Sequence, residues 1–266
     1  MKSAAGLAYR ESGPADGPVA LLVHGYPESS WMWAPLLDVL ADAGWRGVAP
    51  DLAGYGDSPP APPGTWQRHV ESLERFVAEL GLAPVALVVH DWGGLIGLRW
   101  ACDHPGAARA LVISDTGFFP DGRWHGLADA LRTPGTGEEF VDGMTREGFA
   151  AGLRAMATGM DDAALDEYFK AFGDEPRRRG QLELYRSGEF AELAAYEGRL
   201  AALGVPALIL WGSEDPFAPV AGAHRFAKEL PGAELDVLDG VGHFVFDDAP
   251  RAANDAVVKF LRRLDA

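Results

Sequence analysis

The sequence predicts an α/β fold, with a mostly parallel central sheet flanked by helices and a helical block inserted late in the chain. Three observations predict it. Apolar runs of strand length alternate with amphipathic helical patterns, the signature of a parallel sheet wrapped by helices. That rhythm breaks between about 116 and 200, where strands vanish and short helical patterns appear, and it resumes at Pro206. Between Val85 and Gly97 a buried strand runs into a tight turn and then a helix, the usual way for such a sheet to present a reactive side chain.

In chain order, Leu7–Glu11 is an opening strand and Val19–Val23 a short buried one, ending at His24-Gly25-Tyr26-Pro27. Glu28–Ala43 is amphipathic, with Trp31, Trp33, Leu36, Leu37 and Leu40 on one side. Gly47–Pro50 ends a further strand, followed by the loop Asp51–Ser58 and a connector rich in proline (Pro59, Pro60, Pro62, Pro63). A helix is expected over Trp66–Leu80, then the strand–turn–helix at Asp91, then a strand at Ala110–Ser114. The insertion carries helical patterns at Gly137–Met144 and Ala163–Phe172. Strands return at Pro206–Trp211 and Ala233–Leu238, and a helix closes the chain over Arg251–Leu264. The expected division is a core of residues 1–115 and 201–266 and a helical cap of 116–200.

Composition narrows the function. A formal charge of −16 and 39 acidic against 23 basic residues repel phosphate, so neither nucleic acid nor an anionic membrane is expected as a partner. The one basic run, Arg177-Arg178-Arg179, reads as a solvated helix face. No apolar run approaches the roughly 20 residues of a membrane helix. The N-terminus has no apolar leader, so a cytoplasmic location is the default expectation. A single cysteine, Cys102, leaves no internal disulfide and no cysteine-rich metal site.

Asp91 concentrates the chemistry. A serine at such a turn attacks acyl groups with help from a base. A carboxylate is ionised already and suits attack on saturated carbon. The same aspartate could equally cap the N-terminus of the following helix.

Residues elsewhere break the tie. His24-Gly25-Tyr26-Pro27, Gly54-Tyr55-Gly56-Asp57-Ser58, His90-Asp91-Trp92-Gly93-Gly94, Gly212-Ser213-Glu214-Asp215 and Gly242-His243-Phe244 occur in an order that resembles the α/β-hydrolases, in particular the branch with an aspartate nucleophile. Val89 departs from that pattern, since the elbow usually carries a small residue two before the nucleophile. The resemblance implies a cap inserted after the sixth strand. It also implies a triad in the order nucleophile, acid, histidine, here Asp91, Asp215 and His243. It makes the backbone N–H groups of Tyr26 and Trp92 the oxyanion hole, with His24 and His90 as structural side chains. Neither metal nor organic cofactor is implied; the partners are water and a small apolar electrophile, and oligomeric state stays open.

The leaving group separates the members of that branch. An epoxide leaves as a strongly basic alkoxide and wants a proton donor, for which Tyr185 and His125 are the candidates. A halide leaves as a weak base and needs only N–H donors, for which Trp92 and Trp124 are the candidates. Tyr185, followed by Arg186, and the segment His24–Ser29 resemble the epoxide hydrolases, which makes that activity the first expectation. Ser114–Phe119 resembles the entry to the cap of haloalkane dehalogenases, the alternative. Haloacetate dehalogenases and a ligand-binding homologue without turnover stand behind both.

Overall fold

Eight strands form one sheet in the order β1-β2-β4-β3-β5-β6-β7-β8. They are β1 (Lys2–Ala4), β2 (Leu7–Ser12), β3 (Val19–Val23), β4 (Arg46–Pro50), β5 (Val85–His90), β6 (Ala108–Ser114), β7 (Ala207–Gly212) and β8 (Glu234–Leu238). The computed structural model describes residues 1–264. From β4 onward the pairs are parallel, while β1 and β2 join antiparallel at one edge. Strand β5 is buried along its whole length, which is why Val85–His90 reads as a continuous apolar run rather than an alternating one.

The core helices are α1 (Ala34–Asp42), α2 (Trp66–Leu80) and α3 (Trp92–Asp103), and the insertion between β6 and β7 follows. It holds α4 (Gly126–Arg132), α5 (Thr136–Gly143), α6 (Arg146–Arg154), α7 (Asp162–Phe169), α8 (Glu175–Ser187) and α9 (Arg199–Ala202). Helices α10 (Ala221–Glu229), α11 (Val245–Asp248) and α12 (Pro250–Arg262) complete the core. Helix α2 has the expected bounds because its ends are signalled locally. The Thr65 side chain accepts from the Arg68 N–H at the start, and Gly81 at φ 59° ends it.

The expected helix over Glu28–Ala43 divides. Ser29 accepts from the Trp31 N–H and starts a single 3-10 turn, Ser30–Trp33, before α1. Strand β1 was not expected; it is only three residues long and forms the sheet edge, pairing with β2 alone. The basic run also differs from expectation. Arg177 donates to the carbonyls of Gly54 and Gly56 at 2.9 and 3.2 Å, and Arg178 and Arg179 both engage Asp142. These arginines tie α8 to a core loop and to α5 rather than lying on a free solvated face.

Two glycines set how closely α3 lies on the sheet. A Cβ at Gly93 would sit 2.1 Å from the Val23 carbonyl oxygen and 2.6 Å from that of His24. One at Gly97 would sit 2.8 Å from Val89 Cγ1, so Gly97 provides the room that the larger side chain at position 89 takes up. Gly93→Ala is expected to lower unfolding stability by at least about 3 kcal/mol, because the clash is with backbone and cannot relax by a rotamer change. Urea melts of the two proteins measure this; a loss below about 1 kcal/mol would mean that α3 is not so tightly placed.

Candidate active site

Parallel strands end on one edge of the sheet, and side chains from four of those ends converge there. Tyr26 follows β3, Asp91 follows β5, Asp215 follows β7 and His243 follows β8. Asp91 is the corner residue between β5 and α3, at φ 49° and ψ −122°, a conformation costly for a residue with a Cβ. The surroundings hold it there. Its N–H donates to Ser114 O at 3.3 Å, and its carbonyl accepts from Gly94 N at 2.8 Å and Thr116 Oγ1 at 2.6 Å. No Asp91 side-chain bond caps α3, so the capping alternative is excluded and the carboxylate is free to face outward.

The carboxylate has two distinct sides. Oδ1 accepts from the Tyr26 N–H at 2.7 Å, and Oδ2 lies 3.6 Å from His243 Nε2. Gly25 permits this approach, since a Cβ there would fall 2.4 Å from Asp91 Cβ and Oδ1. Trp92 opens α3, where N–H groups have no carbonyl from a preceding turn. Of the two expected oxyanion donors, the Tyr26 N–H meets the Asp91 carboxylate, and Trp92 directly follows Asp91 in the chain.

His243 Nδ1 meets Asp215 Oδ2 at 2.7 Å, and Asp215 Oδ1 accepts from the N–H groups of Phe217 and Ala218 at 2.7 and 2.9 Å. The imidazole thus lies between two carboxylates. Burial opposes its charge, but Asp215 and then Asp91 outweigh that and hold its pKa well above the ordinary value. Burial likewise works against the Asp91 charge, yet His243, His90 and the Tyr26 N–H keep its pKa below the ordinary carboxylate range. Both shifts act in the same sense, favouring a charged Asp91 beside a charged His243.

A cavity of about 520 Å³ opens above Asp91 and His243, lined almost entirely by carbon. Its polar side chains beyond those two are Tyr26, His125 and Tyr185, and Phe149, Leu153 and Met156 of the insertion supply apolar wall. His125 caps α4, its Nδ1 accepting from the Ala128 N–H at 3.3 Å, so Nε2 carries the proton. Burial pushes its pKa down, leaving it neutral. Burial and the nearby Asp91 keep the Tyr185 phenol protonated.

The indoles sit differently. Trp92 and Trp124 stack with ring centroids 5.4 Å apart and border a smaller void of about 50 Å³ that also touches Asp91 and His125. The Trp92 side chain hydrogen-bonds the Tyr185 hydroxyl, whereas the Trp124 indole N–H is buried with no acceptor among the described residues. Cys102 is buried on α3 and its thiol pKa is pushed up to about 12, as an inert packing residue requires. His24 is structural, with Nε2 accepting from the Leu52 N–H at 2.9 Å.

An alpha/beta hydrolase fold family model matches residues 18–250. The chain belongs to the α/β-hydrolase family. It is 29% identical over 287 residues to the cis-3-alkyl-4-alkyloxetan-2-one decarboxylase of Xanthomonas campestris, covering 97% of this chain and 92% of that one. It is 33% identical over 260 residues to a haloalkane dehalogenase of Mycobacterium marinum, covering 91% and 84%. The crystal structure of haloalkane dehalogenase DbeA from Bradyrhizobium elkani superposes with a TM-score of 0.85 at 26% identity, covering 99% and 97%. These likenesses place the chain among enzymes of the aspartate-nucleophile, dehalogenase-like branch. They favour the dehalogenase alternative over the epoxide hydrolase reading that Tyr185 suggested.

The sequence reading missed Asp115, the residue after β6. It is fully buried at φ 45°, with Oδ1 accepting from the Gly212 N–H at 2.9 Å and Oδ2 from Ser114 Oγ at 2.5 Å. Asp115, Asp215 and His243 bring possible ligand atoms within 4.8 Å of one another. All three are already hydrogen-bonded, and burial, then Asp215, raise the Asp115 pKa well above the ordinary value. The group is an oriented acid–imidazole cluster rather than an open coordination shell. Its signal was available: a carboxylate at the end of a buried parallel strand, where functional groups gather.

A histidine whose folded pKa is raised stabilises the fold fully below its unfolded pKa of about 6.5, and that contribution is lost as pH rises through the folded value. Proton NMR of His243 is expected to show the imidazolium persisting well above pH 6.5, with Asp91→Asn moving the titration down. An ordinary titration in the wild type would contradict the two-carboxylate geometry.

Proposed function

We propose that this chain is a haloalkane dehalogenase, displacing halide from a saturated carbon of an apolar substrate with Asp91 and releasing the alcohol with a His243-activated water. The reading is supported by dehalogenase relatives along nearly the whole chain. It is supported too by the apolar cavity, which accepts an alkyl group and disfavours a charged one. The observation that carries the choice of halide is Trp124. Its buried N–H has no acceptor among the described residues, beside a void that touches Asp91, and a departing halide supplies the missing acceptor.

Asp91 Oδ1 is held by the Tyr26 N–H, so Oδ2 attacks carbon in line with the departing halide. The product is an ester whose carbonyl oxygen, Oδ1, already rests in the donor site. Forming the ester also removes the Asp91 charge. That charge is one of those that hold His243 protonated, so covalent attack itself lowers the imidazole pKa and readies it as a base. His243 then takes a proton from water, which attacks the ester carbonyl. Asp215 holds the imidazole orientation and stabilises its positive charge. The negative oxygen of the tetrahedral intermediate is met by the Tyr26 and Trp92 N–H groups, and collapse restores Asp91.

One observation favours a second reading. His125 and Tyr185, neutral donors of N–H and O–H, stand on the wall of the main cavity, where the indoles do not. Those groups suit an epoxide oxygen, and the Trp92 bond to Tyr185 polarises the phenol further. Under that reading the product is a vicinal diol and the second half-reaction is unchanged.

A paired assay with butyl bromide and styrene oxide, following halide and diol, separates them. Bromide release is expected, and Trp124→Phe should lower kcat/KM for the bromide by roughly tenfold or more, as loss of one donor to a buried anion does. Diol formation without bromide release, crippled by Tyr185→Phe, would overturn the dehalogenase reading in favour of the other.

A further inference from the structure

Next to His90, and outside the lining of the cavity, lies a group of acids that the reaction above does not use. Glu28 follows the Tyr26-Pro27 turn and is fully buried. Its Oε2 lies 3.4 Å from His90 Nε2, and the His90 ring lies 4.8 Å from that of His243. Glu28 Oε1 and Oε2 and Asp247 Oδ2 are all closed to solvent without a donor among the described residues. The two side chains nevertheless stand within hydrogen-bonding reach of each other. The other oxygen of Asp247 accepts from Tyr168 Oη of α7 at 3.0 Å.

Two carboxylates have only acceptors to offer each other. One proton between them supplies the missing donor and satisfies orphaned oxygens on both sides. The charges that face the pair point the same way. Asp248 beside it and Asp161 at the start of α7 are acidic, and Asp91 is a further negative charge on Glu28. His90 offers no compensating cation, because burial pushes its pKa down to about 3. His243 is the cation that faces Glu28, and it must lose its proton for water to be activated.

We propose that Asp247 and Glu28 share a single proton where α7 of the insertion meets the His243 turn, making Asp247 a positioning residue that keeps Glu28 neutral beside the reacting imidazole. The consequence is electrostatic. Asp215 already faces the imidazole, and an ionised Glu28 would add a second permanent carboxylate. Each unit by which that raises the His243 pKa lowers the fraction of free base tenfold below that pKa. Burial acts the same way: burial, then Asp247, raise Glu28 well above its ordinary value, and burial raises Asp247 to about 6. The proton also serves the cap contact. Tyr168 donates to Asp247, and Asp248 Oδ1 accepts from the Thr158 and Gly159 N–H groups at 2.7 and 2.8 Å, so the same short helix anchors the insertion.

This inference rests on His243 as the base of the second half-reaction, and its test separates the two. The single-turnover rate of ester hydrolysis would be followed against pH with butyl bromide, or with styrene oxide if only that is turned over. Asp247→Asn replaces the shared proton with an amide donor that favours ionised Glu28. The acidic limb of its profile is expected to move up by about one pH unit. The double change Glu28→Gln with Asp247→Asn should return the limb to the wild-type position. A rate lowered equally at every pH, or a double variant no better than the single one, would overturn the proposal and leave Asp247 as packing.

A second measurement needs neither turnover nor a particular substrate. The infrared difference between wild type and Glu28→Gln at neutral pH should contain the stretch of a protonated carboxyl group. Its absence would overturn the shared proton outright. If the band is present while the wild-type profile has no histidine limb, the base assignment fails, and with it the coupling to Asp247.

Discussion

An imidazole held between two carboxylates is the interaction on which the rest of this site depends. Asp215 contacts Nδ1 of His243 at 2.7 Å and Asp91 Oδ2 lies 3.6 Å from Nε2. The two contacts are unequal in kind. Asp215 is fixed by backbone donors, whereas the charge on Asp91 would be removed by the alkylation proposed above. In the proposed reaction the same pair gives an imidazolium that supports an ionised nucleophile and, after covalent attack, a base that can accept a proton. The arrangement requires strand ends to meet within a few ångströms. Close approach at Gly25 and Gly93 and the strained backbone at Asp91 follow from that requirement.

Much of this was legible in the chain because the relevant signals are local. Asp91, Asp215 and His243 each follow a recognisable apolar strand and sit among turn residues, so their common edge follows from the parallel sheet. The ends of α2 were legible for the same reason, from Thr65 and Gly81. Other features depend on partners far apart in sequence. Val89 departed from the elbow pattern, and only the structure shows Gly97 making room for it. Arg177 reads as solvated until the loop at Gly54 is placed against it. Glu28, Asp247 and Tyr168 come from three elements, and nothing in their separate neighbourhoods indicates that they meet.

The insertion supplies much of the wall of the cavity above Asp91. Its aromatic and aliphatic side chains close the cavity, and its polar contribution is confined to a few groups around Asp91. The sequence placed Trp92, Trp124, His125 and Tyr185 in that region without ordering them. In the structure they form two sets: His125 and Tyr185 on the main cavity, and the stacked indoles beside a void the size of a small ion. Trp92 links the sets through its bond to Tyr185. On the proposed reading, leaving-group preference depends on how these four side chains share their hydrogens, with the nucleophile common to either outcome.

The central claim is that Asp91 forms a covalent ester which water cleaves at the carboxyl carbon. Repeated turnover in water enriched in heavy oxygen, followed by mass spectrometry of the peptide spanning Asp91, tests it most directly. The account predicts label in the Asp91 carboxylate, because hydrolysis through that carbon exchanges its oxygen. Label confined to the alcohol product, with the Asp91 peptide unchanged, would mean that water attacks the substrate directly and would contradict the account.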